Sequence, residues 1–175
     1  MRVGRGRWLR IYWALAVLVV SLGWGCSSPD KDGHKFLTKS IEDALAEIRL
    51  CKLALVQSHD DDVKAFARRI LKDHADLNQE LVSLAEEKGV QPPSEPNAKQ
   101  KSVYDRLAKL SGPAFDKEFM KYNVTDHETD VQECRRQAEI GSDPEVKGLA
   151  AKALKTLQIH LQLSRDLAQK IRAPR

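Results

Sequence analysis

From Leu37 onward, apolar residues return every three or four positions in four separate runs, and the breaks between runs carry residues that stop or restart a helix. The first run holds Ile41, Ala44, Ile48, Cys51 and Leu55 and predicts a helix over residues 37–58. Asp60, Asp61 and Asp62 then interrupt and recap the chain, because a carboxylate accepts from the free N–H groups of a helix start. The second run is Val63, Ala67, Ile70, His74, Leu77, Leu81 and Leu84. Gly89 closes it, and Pro92-Pro93 forbid continuation. The third starts near Pro113, carries Met120, Val124, His127, Val131, Cys134 and Ala138, and stops at Gly141. The fourth opens on Ser142-Asp143-Pro144-Glu145, a capping box with proline near the start, and carries Leu149, Ala153, Thr156, His160, Leu163 and Leu167. With 6% aromatic and 31% charged residues, the composition favours packed helices over a β-sandwich. The fold class expected is all-α.

The connections set the topology. Two are short, while residues 90–112 form a long one, with a short helix expected at 102–110. That pattern suits a four-helix bundle with one long crossover connection between helices two and three, the ferritin-like plan. A weak repeat supports two related hairpins: Asp60-x-Asp62-Val63-Lys64-x-Phe66-Ala67 recurs 83 residues later as Asp143-x-Glu145-Val146-Lys147-x-Leu149-Ala150.

The N-terminus reads as an export address. Arg2, Arg5, Arg7 and Arg10 precede an apolar stretch from Ile11 to Leu22, followed by small residues and Cys26. The stretch is shorter than the roughly 20 apolar residues of a spanning helix. Cys26 just after Gly25 resembles the lipobox of bacterial lipoproteins, so residues 1–25 are expected to be a signal peptide of the lipoprotein type with Cys26 the lipidated first residue of the exported chain, the alternative being plain signal cleavage. Residues 26–36, polar with Pro and Gly, are expected to be a flexible tether, and residues 37–173 the bundle domain. Ser27 after the cysteine resembles lipoproteins sent to the outer membrane, on the periplasmic side of the envelope. The net charge of +4 comes from the four signal arginines; from residue 26 onward 25 basic residues face 25 acidic ones. The chain thus has no global basic footprint for nucleic acid.

Polar residues stand where core is expected. His74, His127 and His160 each lie on the apolar stripe of a different helix, and Glu47 lies at the edge of the first. Counted from the turns, Glu47, His74 and His127 are level near mid-bundle, with His160 some 6 Å off at 1.5 Å per residue. Three imidazoles and a carboxylate suit a divalent transition metal such as zinc, copper or iron. Asp130, one turn beyond His127, is a second-rank ligand or an orienting partner. Equally, the four residues form a polar core network, which is tolerable only when fully hydrogen-bonded. The spacing of a carboxylate-bridged di-iron site is absent, since Leu71 and Leu157 stand three residues before His74 and His160. No nucleophile pattern and no phosphate-binding glycine loop occurs, so no catalytic residue is assigned.

Taken together, Ala46-Glu47-Ile48-Arg49-Leu50, Val63-Lys64-Ala65-Phe66-Ala67 leading to Asp73-His74, Phe115-Asp116-Lys117-Glu118-Phe119 leading to Asp126-His127, and Leu154 through His160 resemble the bacterial "predicted outer membrane protein" family, domain of unknown function 4142, of the ferritin-like superfamily. The resemblance spans about residues 37–170. It implies an exported helical bundle with Glu47, His74, His127 and His160 as the family-type polar positions, and it implies no reaction. The sequence departs from the family at Cys51, usually Gly, and at Leu154-Lys155, usually Leu-Pro. In the crossover topology Cys51 and Cys134 lie toward opposite ends, so two free buried thiols are expected. Three functions remain open: an envelope lipoprotein with a metal at mid-bundle, a metal-dependent enzyme on the same residues, and a structural or partner-binding module. Helix four is the most two-sided, so a homodimer through it is a further expectation.

Overall fold

The computed structural model describes residues 30–172, all of whose regular structure is helical. Residues 1–29, with the signal segment and Cys26, lie outside the described residues. Five helices follow in order: α1 (Lys31–Gln57), α2 (Asp61–Glu87), α3 (Ala98–Leu107), α4 (Gly112–Ile140) and α5 (Pro144–Arg172).

The stops and starts follow local chemistry. Asp60 accepts from the N–H groups of Asp62 and Val63 at 2.9 and 3.3 Å, and Asp143 does the same for Glu145 and Val146 at 2.9 and 3.0 Å. The two copies of the sequence repeat are therefore two copies of one cap. Gly89, at φ 70°, takes the left-handed conformation that closes α2. Gly112, at φ 53°, opens α4 against the His59 ring, where a Cβ would come 3.3 Å from Nδ1.

Two expectations require correction. The tether expected over 26–36 is helical from Lys31 onward: the Asp30 carboxylate caps Gly33 N–H at 3.1 Å, and Phe36 and Leu37 are buried in the core. The short helix in the long connection starts earlier than 102, because Asn97 and Gln100 form a reciprocal capping box that fixes its first turn.

The long helices pack as two hairpins, α1 with α2 and α4 with α5. Across the hairpins, α1 lies antiparallel to α4, since Lys39 meets Glu133 and Glu47 meets His127. Likewise α2 lies antiparallel to α5, since Lys170, His160, Lys152 and Lys88 meet Asp62, Asp73, Glu80 and Asp143. The apolar core is split in two. One cluster gathers Leu37, Ile41, Leu81, Val131, Val146 and Leu157; the other gathers Leu50, Ile70, Leu107, Phe115, Phe119 and Met120. Between them lies a layer of buried polar side chains: Glu47, His74, Asn123, His127 and His160. Cys51 and Cys134 are free, buried, and in different clusters.

Candidate functional site

Each long helix sends one ionisable side chain into the layer, Glu47 from α1, His74 from α2, His127 from α4 and His160 from α5, and α4 adds Asn123. The structure thus brings together all four residues singled out from the stripes. The offset expected for His160 is taken up by the register of α5 on α2, which sets Asp73 opposite His160. Ring centroids of the three histidines lie 5.4–5.8 Å apart, and one nitrogen from each lies within 4.8 Å of the others. None of the four side chains is more than 4% exposed.

Hydrogen bonds fix which nitrogens are available. His127 Nδ1 is 2.9 Å from the backbone carbonyl of Asn123, which can only accept; Nδ1 therefore carries the proton. In the neutral ring Nε2 then holds a lone pair, and it faces Glu47 Oε2 at 3.6 Å, beyond hydrogen-bond length. His160 Nε2 donates to the Asp73 carboxylate at 2.9 Å, leaving Nδ1 as a buried lone pair without a partner. His74 Nε2 approaches Glu47 Oε2 to 2.7 Å, yet neither completes an aligned hydrogen bond. No protein group hydrogen-bonds either oxygen of Glu47, either nitrogen of His74, or Nε2 of His127. The network therefore misses the full bonding that a buried polar layer requires when it serves packing alone.

The electrostatics agree. Burial works against the charge of Glu47, but the imidazoles of His127 and His74 outweigh it and hold the carboxyl down to about 2. Burial depresses His74, and the Glu47 carboxylate more than reverses this. For His160, burial wins over Asp73 and lowers the ring to about 4, so it is neutral at physiological pH. Cys51 and Cys134 are not thiolates: burial pushes Cys51 up and holds Cys134 at about 12.

Other site residues were harder to read from the sequence. Asp130 is buried but sits with Glu47 and Asp126, each offering an oxygen within 4.8 Å of the others, and not among the three histidines. Asp73 and Asp126 were not identified as site residues. The signal available was the dipeptide Asp-His, which occurs at 73–74 and again at 126–127. Adjacent residues point about 100° apart on a helix. Asp73 accordingly reaches across to His160 on α5, and Asp126 turns toward Glu47 on α1.

A family model described as a domain of unknown function, DUF4142, matches residues 26–167. In fold the chain is similar to a DUF305 protein of Streptomyces coelicolor described as secreted, with a TM-score of 0.71 and 14% identity over 83% of this chain and 96% of that one. No curated protein matches the sequence.

Proposed function

The chain belongs to the DUF4142 family, which carries no assigned function, and we propose from the site that it is an exported envelope lipoprotein whose bundle holds one divalent transition metal at mid-height. The ligands are Glu47, His74, His127 and His160. The fold is read as the ferritin-like four-helix bundle, with residues 88–111, including α3, as the crossover. The observation that carries the reading is the set of buried donor atoms without a hydrogen-bond partner that meet in one layer: both oxygens of Glu47, both nitrogens of His74, Nε2 of His127 and Nδ1 of His160. A cation among them gives these atoms a common partner. The donor set suits zinc, copper or iron, with the carboxylate supplying charge compensation. The Asn123 carbonyl and the Asp73 carboxylate hold two of the rings in the required tautomers, the usual task of an outer partner in a metal site.

The enzyme reading draws less support. A catalytic metal keeps an open position facing a substrate, whereas these donors are enclosed by four helices and two apolar clusters. Tethering to the outer membrane through Cys26 follows from the leader sequence. Among the described residues no helix is long and apolar enough to cross a membrane. A homodimer through α5 would be seated on Ile159, half exposed there.

Metal analysis tests the reading. The protein, purified without a metal-binding tag and exposed to zinc, copper and iron, is expected to retain one ion per chain. Asp73→Asn, which takes the negative charge from the partner of His160, is expected to weaken retention by about 10–100-fold. Wild type that holds no stoichiometric metal refutes the proposal. For the anchor, Cys26→Ser is expected to move the protein from the membrane fraction to the soluble periplasm; unchanged membrane association would refute lipidation.

A further inference from the structure

Beside the histidine layer, α1 and α4 face each other with four acids. Asp43 and Glu47 lie one turn apart on α1, and Asp126 and Asp130 one turn apart on α4. The two pairs are separated by the same 83 residues as the repeated caps, so the hairpin repeat carries this acid pair with it. Antiparallel packing of α1 on α4 then brings each pair against the other: Asp43, Asp130 and Glu133 form one group, and Glu47, Asp126 and Asp130 a second.

The two groups differ in one respect. The first has its cation: Lys39 Nζ lies 2.7 Å from Asp43 and 2.8 Å from Glu133. In the second, among the described residues, no lysine or arginine pairs with Glu47, Asp126 or Asp130, and Glu47 meets the imidazoles of His74 and His127 at 2.7 and 3.6 Å. Both oxygens of Glu47, which is 1% exposed, lack a hydrogen-bond partner, and so does the buried Oδ2 of Asp126. A cavity of about 30 Å³, room for about one water, adjoins the first group and His74, and it reaches the second through Asp130.

We propose that Glu47, Asp126 and Asp130 form a second divalent-cation site, adjoining the histidine site and sharing Glu47 with it, for a hard ion that prefers oxygen donors. The inference rests on the histidine reading through that shared carboxylate. Glu47, Asp126 and Asp130 each offer a carboxylate oxygen within 4.8 Å of the others, and the set holds no nitrogen or sulfur donor, which is the donor chemistry of a hard divalent ion. The nitrogen-rich and oxygen-rich halves would therefore select different metals.

The test loads the full chain, purified in detergent without a metal-binding tag, with one equivalent of zinc and titrates it with Mn(II). Free Mn(II) is read by electron paramagnetic resonance and zinc by elemental analysis. Wild type is expected to bind one Mn(II) per chain. Asp126→Asn/Asp130→Asn, and Asp126→Asn alone, are expected to weaken Mn(II) by at least 10-fold with zinc retained, which also shows that the variants fold. Failure of zinc-loaded wild type to bind Mn(II), or equal binding by the variants, overturns the second site alone. Failure of wild type to hold zinc overturns the histidine reading; the Mn(II) titration, run on the same metal-free protein, then decides the carboxylate site by the same comparison.

Discussion

His74→Ala/His127→Ala is expected to abolish stoichiometric binding of zinc, copper or iron. The variant removes the donors contributed by α2 and α4 and leaves Glu47 and His160, which come from α1 and α5. Loss of an outer partner alone weakens metal sites by about 10–100-fold, so loss of two direct donors exceeds 100-fold. Thermal unfolding gives the second readout. A metal present at 100 times its dissociation constant stabilises the native state by about 2.7 kcal/mol. That increment should appear in wild type on adding metal and be missing from the variant. The variant should still fold, because apolar clusters on either side of the layer are untouched. Metal held by the double variant would mean that the ligands are wrongly assigned.

Glu47→Gln is expected to destabilise the metal-free protein by about 3 kcal/mol near pH 5.5, and by less near pH 8. Glu47 titrates near 2 in the folded protein, below its ordinary value of 4.5. Its contribution is therefore present above pH 4.5 and lost as pH falls through 2. His74 is shifted upward, so its contribution is full below 6.5 and lost as pH rises through the folded value. The charged pair thus stabilises most between pH 4.5 and 6.5. Above that window, removal of the carboxylate strands a histidine that can shed its proton at little cost. His160 has the opposite sense: burial lowers its value, which removes stability as pH falls from 6.5 toward 4, and loss of the Glu47 charge lowers it further in the variant. Urea midpoints of both proteins across pH 5–8 separate the two effects. A difference independent of pH would show that Glu47 acts by packing and not by charge.

The helices were legible because their ends are made by residues with one conformational preference each. Asp60 and Asp143 cap, Gly89 turns left-handed, and Pro113 sits in a first turn. The start of α1 was missed because Asp30-Lys31-Asp32-Gly33 reads as linker by composition, whereas Asp30 acts as a cap and the burial of Phe36 holds the added turn. The four mid-bundle side chains were legible for a different reason: a histidine on a leucine stripe breaks the pattern. Asp73 and Asp126 break no pattern. Each stands on a half-exposed flank, and its role arises only from the helix opposite. Asp130 was visible as a neighbour of His127, but its partner Asp126 required knowledge that α4 lies antiparallel to α1.

The four donors lie on four helices, and 113 residues separate Glu47 from His160. No fragment shorter than 114 residues contains the set. An unfolded polypeptide passing through a membrane has these side chains strung out along its length, and it arrives on the far side empty. On the proposed reading the bundle must close first, so an ion it captured would be drawn from the compartment in which it folds. Metal identity in such a protein is decided by address and timing as much as by ligand chemistry.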